Sequence, residues 1–243
     1  MAVKGRGRGR GLLRRLWVAA ANIDDFGPEL VRVGAFHAIR RLSPAVVADR
    51  GDARFLVSTG DQVIGRTTFM KGAYDLDAMD RAVALLTRHL GRDPVAGLTV
   101  IDVGANIGTT TIPLVQRFGA EQVVAIEPSP ENFVLLQCNT ILNGVQGQVT
   151  CVQAAVSSSA GTLLMELSAT NSGDHRVRVT DGPGSYAEAD RELIPVAATS
   201  VDDVLSQAGV VPGDVGLLWV DVQGHEGHGC SSRSPRRASW PTR

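Results

Sequence analysis

Ile101-Asp102-Val103-Gly104-Ala105-Asn106-Ile107-Gly108 is the stretch on which the reading of this chain turns. It closes Leu98 to Val103, an almost wholly apolar run rich in β-branched residues, which predicts a strand covered on both faces. Gly104 and Gly108 then supply permissive backbone for a tight turn and for the close approach of a ligand. Thr109 to Phe118 reads as a helix, with Pro113 in its first turns, where a missing donor costs least. Backbone donors at such a helix start favour a carboxylate or another anion. Alone, a glycine-rich turn of this kind serves structural turns as readily as binding sites.

Reading outward, the same alternation continues. Gln122 to Ile126 is a second strand, Glu131 to Leu142 a helix started by Ser129-Pro130, and Val149 to Ala154 a third strand. Val201 to Ala208 is a helix capped by Ser200, and Val215 to Val222 is a fourth strand. Strands alternating with helices predict an α/β fold, a Rossmann-like, doubly wound and mainly parallel sheet. The intervening Ser157 to Thr199, with Asn171-Ser172-Gly173-Asp174 and Gly182-Pro183-Gly184, reads as a long loop holding at most a hairpin. Upstream, helical spacing in Leu12, Leu13, Leu16, Trp17 and Ala20, and again in Leu30, Val33, Phe36 and Ile39, predicts one or two helices over 11 to about 50. Phe55 to Val57 suits a short strand, and Asp77 to Leu90 a helix that stops before Gly91.

A second element gives the glycine turn a chemical partner. Ile126-Glu127-Pro128 puts a carboxylate at the end of the second strand, 25 residues after Asp102. In a doubly wound sheet that position faces the crevice beyond the carboxyl ends of the strands, where a carboxylate can accept both ribose hydroxyls of a nucleoside. The alternative is a solvated strand-end glutamate. A dinucleotide fingerprint needs Gly-x-Gly-x-x-Gly, but Gly104 and Gly108 are four apart and Asn106 stands where the middle glycine belongs. A nicotinamide-dependent oxidoreductase therefore fits poorly, and S-adenosylmethionine is the leading nucleoside cofactor without a diphosphate.

Taken together, Ile101 to Gly108, Ile126-Glu127-Pro128, Asn139 to Asn143, Ala155-Val156-Ser157, Ser200-Val201-Asp202 and Val220 to Glu226 resemble the FkbM methyltransferases in order and spacing, over roughly 70 to 227. The resemblance implies a class I methyltransferase fold acting on a hydroxyl of a small molecule or sugar. It implies that Asp102, Gly104, Asn106 and Gly108 surround the methionine part of S-adenosylmethionine, that Glu127 holds the ribose, and that Gln153 and Ala154 flank the adenine. Asp221, just beyond an apolar strand, would face the methyl group and the acceptor as general base, orienting group or ligand of a divalent metal ion. Glu226 is a further candidate at the same site, with a structural role as the alternative. His225 and His175 read as a neighbour and a solvated loop residue, and Asp202 and Asp203 as helix-start carboxylates.

The chain thus divides into a basic leader with a helical extension (1–69), an S-adenosylmethionine-binding domain (70–227) and a basic tail (228–243). That tail holds Arg233, Arg236, Arg237 and Arg243 and no acid, and it reads as a frame-shifted or truncated end lacking the family's remaining strands, with a genuine basic tail as the alternative. An incomplete sheet has two consequences: the chain could be a cofactor-binding remnant without turnover, and its fourth strand would offer an edge for self-association. A net charge of -1 gives no reason to expect a nucleic-acid partner. The Lys4, Arg6, Arg8, Arg10 run reads as a solvated leader. No apolar run reaches membrane-spanning length, and the unpaired spacing of Cys138, Cys151 and Cys230 suits a reduced, cytoplasmic protein with Cys138 and Cys151 in the core.

Overall fold

The computed structural model describes residues 29–178 and 191–222. Its centre is a four-stranded parallel sheet built from β3 (Thr99–Val103), β4 (Gln122–Ile126), β5 (Val149–Val152) and β10 (Val215–Val220), ordered β10-β3-β4-β5. All five residues of β3 and four of the five in β4 are buried, as the unbroken apolar runs require of strands covered on both faces. Along β3 the side chains alternate between two cores. Ile101 and Val103 join Val124, Ile126, Val204 and Leu205 on one face, while Val100 packs with Val123 and Ala125 on the other.

Register makes this sheet a platform for a site. Val220 lies opposite Val103, Val103 opposite Ile126, and Ile126 opposite Val152. The residues that follow (Asp221, Gly104, Glu127 and Gln153) therefore leave the sheet along one edge, at its carboxyl end. Helices return the chain from that edge: α4 (Thr111–Gln116) after β3, and α5 (Pro130–Leu142) after β4. Ser129 caps α5, accepting from the Asn132 backbone N–H, and Pro130 occupies the first turn. Helix α6 (Val201–Ala208) is capped by Ser200, as expected, and ends at the left-handed Gly209.

Three stretches depart from expectation. Helix α1 (Glu29–Arg40) forms, but 45–50 is not helical: β1 (Ala45–Arg50) pairs antiparallel with β2 (Ala53–Ser58) across the two-residue turn Gly51-Asp52. The β-branched pair Val46-Val47 and its period-2 burial explain the strand. A second helix, α2 (Ile64–Lys71), precedes the expected α3 (Leu76–Leu90), and Phe69 of α2 meets Phe36 of α1 at 5.3 Å between ring centroids. The stretch expected as a long loop forms a second sheet. There β6 (Ala155–Val156), β9 (Leu193–Thr199), β7 (Gly161–Glu166) and β8 (Arg176–Val177) lie in that order. Pro195 obscures this strand in the sequence, yet it sits where β9 bonds to β7 alone, with β6 joining only at Ala198 and Thr199. Cys151 is half-buried, its thiol pushed up to about 11 by burial, whereas Cys138 lies exposed on α5 rather than in the core.

The N-terminal hairpin is held by side-chain amides. Asn139, fully buried on α5, accepts from the Leu56 N–H (2.6 Å) and donates to the Leu56 carbonyl (3.1 Å) and to the Ile107 carbonyl (2.8 Å). One helical turn on, Asn143 makes the same two-way contact with Arg54. Two asparagines spaced i, i+4 thus serve β2 as a neighbouring strand would.

Candidate functional site

The turn after β3 is clasped rather than free. Gly104 and Ala105 both donate to the Ile126 carbonyl, at 2.9 and 3.0 Å. Gly104 has φ +86, and a Cβ placed there would lie 2.1 Å from the Asp221 carbonyl oxygen, so only glycine lets the ends of β3 and β10 approach this closely. Asn106 adopts the left-handed region (φ 51), and its carboxamide oxygen accepts from the Ile107 N–H. Gly108, at φ +92, packs against Leu136.

Glu127 joins the first and second strand ends. Its carboxylate accepts from the Asn106 N–H (2.9 Å) and from the Ser129 N–H (2.8 Å), and the Asn132 side chain adds a third donor. Burial raises its pKa from 4.5 to about 7 against these hydrogen bonds, with the Asp102 charge adding to the rise. Asp102 behaves differently from the expectation of a ligand-lining residue. It points to the same sheet face as Val100, is wholly buried, and accepts from the Thr111 hydroxyl at 2.6 Å. Its second oxygen has no hydrogen-bond partner among the described residues. Burial raises its pKa to about 7, the Thr111 bond opposes this, and the Asp221 charge adds to it.

Two cavities open on either side of this turn, sharing Gly104, Asn106, Gly173 and Asp221. The first lies over the ends of β3 and β4 and is open to solvent. Glu127 and Asn106 lie along it, with apolar walls from Ile126, Pro128, Ala154, Val156, Met165 and Val177. The second, also open to solvent, is bounded by Tyr74, Asp75, Thr109, Thr110, Asp174 and Trp219 among others. The loop 171–174 stands between them. It is pinned by Asp61, which accepts from the Ser172 hydroxyl, and by the Asn132 carboxamide, which donates to the Ser172 carbonyl.

Of the expected site residues, Gly104, Asn106, Glu127, Ala154 and Asp221 meet at the first cavity. Gly108 supports the turn from beneath, Asp102 is sealed below it, and Gln153 is exposed beside Ala154 without lining either cavity. Glu226 and His225 lie outside the described residues. His175, expected to be a solvated loop residue, is half-buried at the first cavity, where its Nδ1 accepts from the Ser168 N–H and burial lowers its pKa. Sequence reasoning missed Tyr74, Asp75 and Trp219. Trp219 hides in an apolar strand, and only the pairing of β10 with β3 brings it beside Asp102. Among the described residues, no group of three His, Cys, Asp or Glu side chains could hold a metal ion, and no helix is long and apolar enough to cross a membrane.

A parallel sheet whose strand ends carry a glycine turn, a clasping glutamate and an open crevice defines a Rossmann-like α/β protein with a crevice at the carboxyl edge of its sheet. The Methyltransferase FkbM domain matches residues 102–237, and the chain belongs to that family. Among curated relatives, it is 29% identical over 152 residues to the 31-O-demethyl-FK506 methyltransferase FkbM of Streptomyces tacrolimicus, covering 54% of this chain and 57% of that protein. It is 36% identical over 64 residues to the methyltransferase sdnD of Sordaria araneosa, covering 26% of this chain and 25% of that one. The chain thus spans between a quarter and just over half the length of these relatives. The TYW2 of M. jannaschii, solved in complex with AdoMet, aligns over 46% of this chain and 44% of its own at 18% identity and a TM-score of 0.33. A putative transferase from Pyrococcus horikoshii aligns over 46% of this chain and 37% of its own at 18% identity and 0.35.

Proposed function

We propose that this chain binds S-adenosylmethionine in the first cavity and transfers its methyl group to a hydroxyl oxygen of a small molecule or sugar. The observation that carries the reading is the convergence of Gly104, Asn106, Glu127 and Asp221 on one crevice within a chain of the FkbM methyltransferase family. The residues present fit the cofactor. The Glu127 carboxylate keeps acceptor capacity beyond its backbone donors and suits the ribose hydroxyls. The walls formed by Ile126, Ala154, Val156, Met165 and Val177 suit a purine ring, and Gly104 leaves room for the methionine end. S-adenosylmethionine, when bound, would supply an electrophilic methyl group on its sulfonium; Asp221 would orient the acceptor hydroxyl toward it and take up the hydroxyl proton. Positioning and a proton sink are most of what the protein must supply to such an in-line displacement. The 31-O-demethyl-FK506 methyltransferase, named for a hydroxyl-bearing small molecule, supports an oxygen acceptor.

Calorimetry with S-adenosylhomocysteine, followed by transfer of a labelled methyl group to a hydroxylated library, tests the reading. Binding and transfer are expected; no binding would exclude the cofactor, and binding without transfer would leave a cofactor-binding remnant. In the active protein, Asp221→Asn is expected to lower turnover by roughly 100- to 10,000-fold with little change in cofactor affinity. A loss below about tenfold would reduce Asp221 to an orienting group, and inactivation by a chelator would make it a metal ligand.

A further inference from the structure

His175 stands at the first cavity with no task in the methyl-transfer reading. Its backbone is extended (φ -68, ψ 134) as it enters β8, so Val177, two residues on, shares its face. Val177 pairs with Met165 on β7, and both belong to the apolar wall that suits a purine ring. The imidazole is thus a polar neighbour of that wall. It also borders a third opening, with Ser168, Ser172 and Asn132 around it. There the Ser168 N–H donates to Nδ1 at 3.0 Å, and this bond decides the tautomer. A neutral imidazole whose Nδ1 accepts carries its proton on Nε2. Protonation at Nδ1 sets two donors against each other, so the bond favours the neutral ring. Burial acts in the same direction and lowers the pKa. Glu131 on α5, Asp61 before α2 and Asp174 in the loop pull the other way, while Arg191 ahead of β9 assists burial. The loop that carries the ring is itself anchored, with Asp61 and Asn132 both bonded to Ser172.

We propose that His175 is a cofactor-binding residue that reads the purine: its Nε2–H donates to an adenine ring nitrogen while its Nδ1 stays with Ser168. This rests on the reading that S-adenosylmethionine occupies the first cavity. An aliphatic wall holds a purine by shape and buried area alone. One donor set beside that wall adds orientation, because a purine turned the wrong way leaves both the N–H and the ring nitrogen unpaired. Adenine presents N1, N3 and N7 as acceptors, so a neutral imidazole with its proton on Nε2 matches it without a charge in the cavity.

Calorimetry of S-adenosylhomocysteine binding to the whole chain tests this with two variants that separate the ring nitrogens. Glutamine brings an amide N–H to the place of Nε2, whereas asparagine brings its amide oxygen only to the place of Nδ1. His175→Gln is expected to stay within about threefold of the wild-type affinity, and His175→Asn to lose at least about tenfold while keeping the Ser168 bond. A side chain that only holds the loop gives the reverse order. That order, or equal affinities of the two variants, overturns the proposal. The nitrogen that is read is found with the 1-deaza, 3-deaza and 7-deaza analogues of S-adenosylhomocysteine. One of them is expected to bind the wild type at least about tenfold more weakly than the parent, and His175→Asn at most about twofold more weakly. Uniform binding of parent and analogues by the wild type overturns the hydrogen bond without any substitution, and so do equal losses in both proteins for every analogue. No S-adenosylhomocysteine binding by the wild type overturns the cofactor reading and this proposal with it, whereas a reversed order of the variants leaves the cofactor reading standing.

Discussion

At the scale of residues, two buried carboxyls set how this site responds to pH. Asp102 and Glu127 ordinarily titrate at 3.8 and 4.5, and burial holds both at about 7 in the folded chain. Between those values the folded state retains protons that the unfolded chain has released, so stability falls as pH rises. Their contribution is full below about pH 4 and lost above about pH 7. The melting temperature of the ligand-free protein is therefore expected to drop between about pH 5 and pH 7.5, and Asp102→Asn to flatten that slope, as calorimetric scans would show. An unchanged slope would mean that Asp102 does not carry the effect. Glu127 has a second task, since it ties the Asn106 and Ser129 backbones together. Glu127→Ala is expected to weaken S-adenosylmethionine binding by about 1–3 kcal/mol through lost charge-assisted hydrogen bonds, measured by calorimetry on variant that remains folded. Unchanged affinity would remove Glu127 from the ribose.

Among the elements, the join between α5 and β2 is the most informative. Asn139 satisfies three backbone groups at once, one of them the Ile107 carbonyl in the glycine turn, while Asn143 serves Arg54 at the outer end. Asn139→Ala leaves the buried Ile107 carbonyl and the half-buried Leu56 groups unpaired and is expected to cost about 1–3 kcal/mol in urea unfolding. Asn143→Ala, at a solvent-exposed contact, is expected to cost less, at most about 1.5 kcal/mol. Equal losses would mean that the turn gains nothing from the buried member of the pair. The short strand at Phe55 to Val57 is legible in the sequence, but no local pattern shows that its open edge is bonded by asparagine side chains of α5, more than 80 residues away.

For the whole molecule, the position of β10 governs behaviour in solution. Among the described residues it has a strand neighbour on one side only, and its side chains are half-buried or exposed, with Leu218 at 36%. An apolar edge strand of this kind invites pairing with another chain. Light scattering of the 243-residue chain is expected to show concentration-dependent association, reduced by Leu218→Lys, which places a charge on the edge strand. A monodisperse monomer at high concentration would show that the edge is covered.

The sequence by itself determined the parallel sheet, the glycine turn and the acidic strand end. Each of these rests on short-range chemistry: unbroken apolar runs for doubly covered strands, glycine for left-handed backbone, Ser129-Pro130 and Ser200 for helix starts. Helix α3, ending at Gly91, and the boundaries of β4 and α6 were legible for the same reason. The second sheet was not, because β6 and β8 are two residues each and β9 contains a proline, leaving no period to detect. Nor were the roles within the site. Whether Asp102 faces a ligand or the core depends on which sheet face it occupies, and pairing with β4 and packing of Thr111 decided for the core. Only the tertiary structure brought Tyr74 and Asp75 beside Trp219, since long-range packing, which no local pattern encodes, sets that juxtaposition.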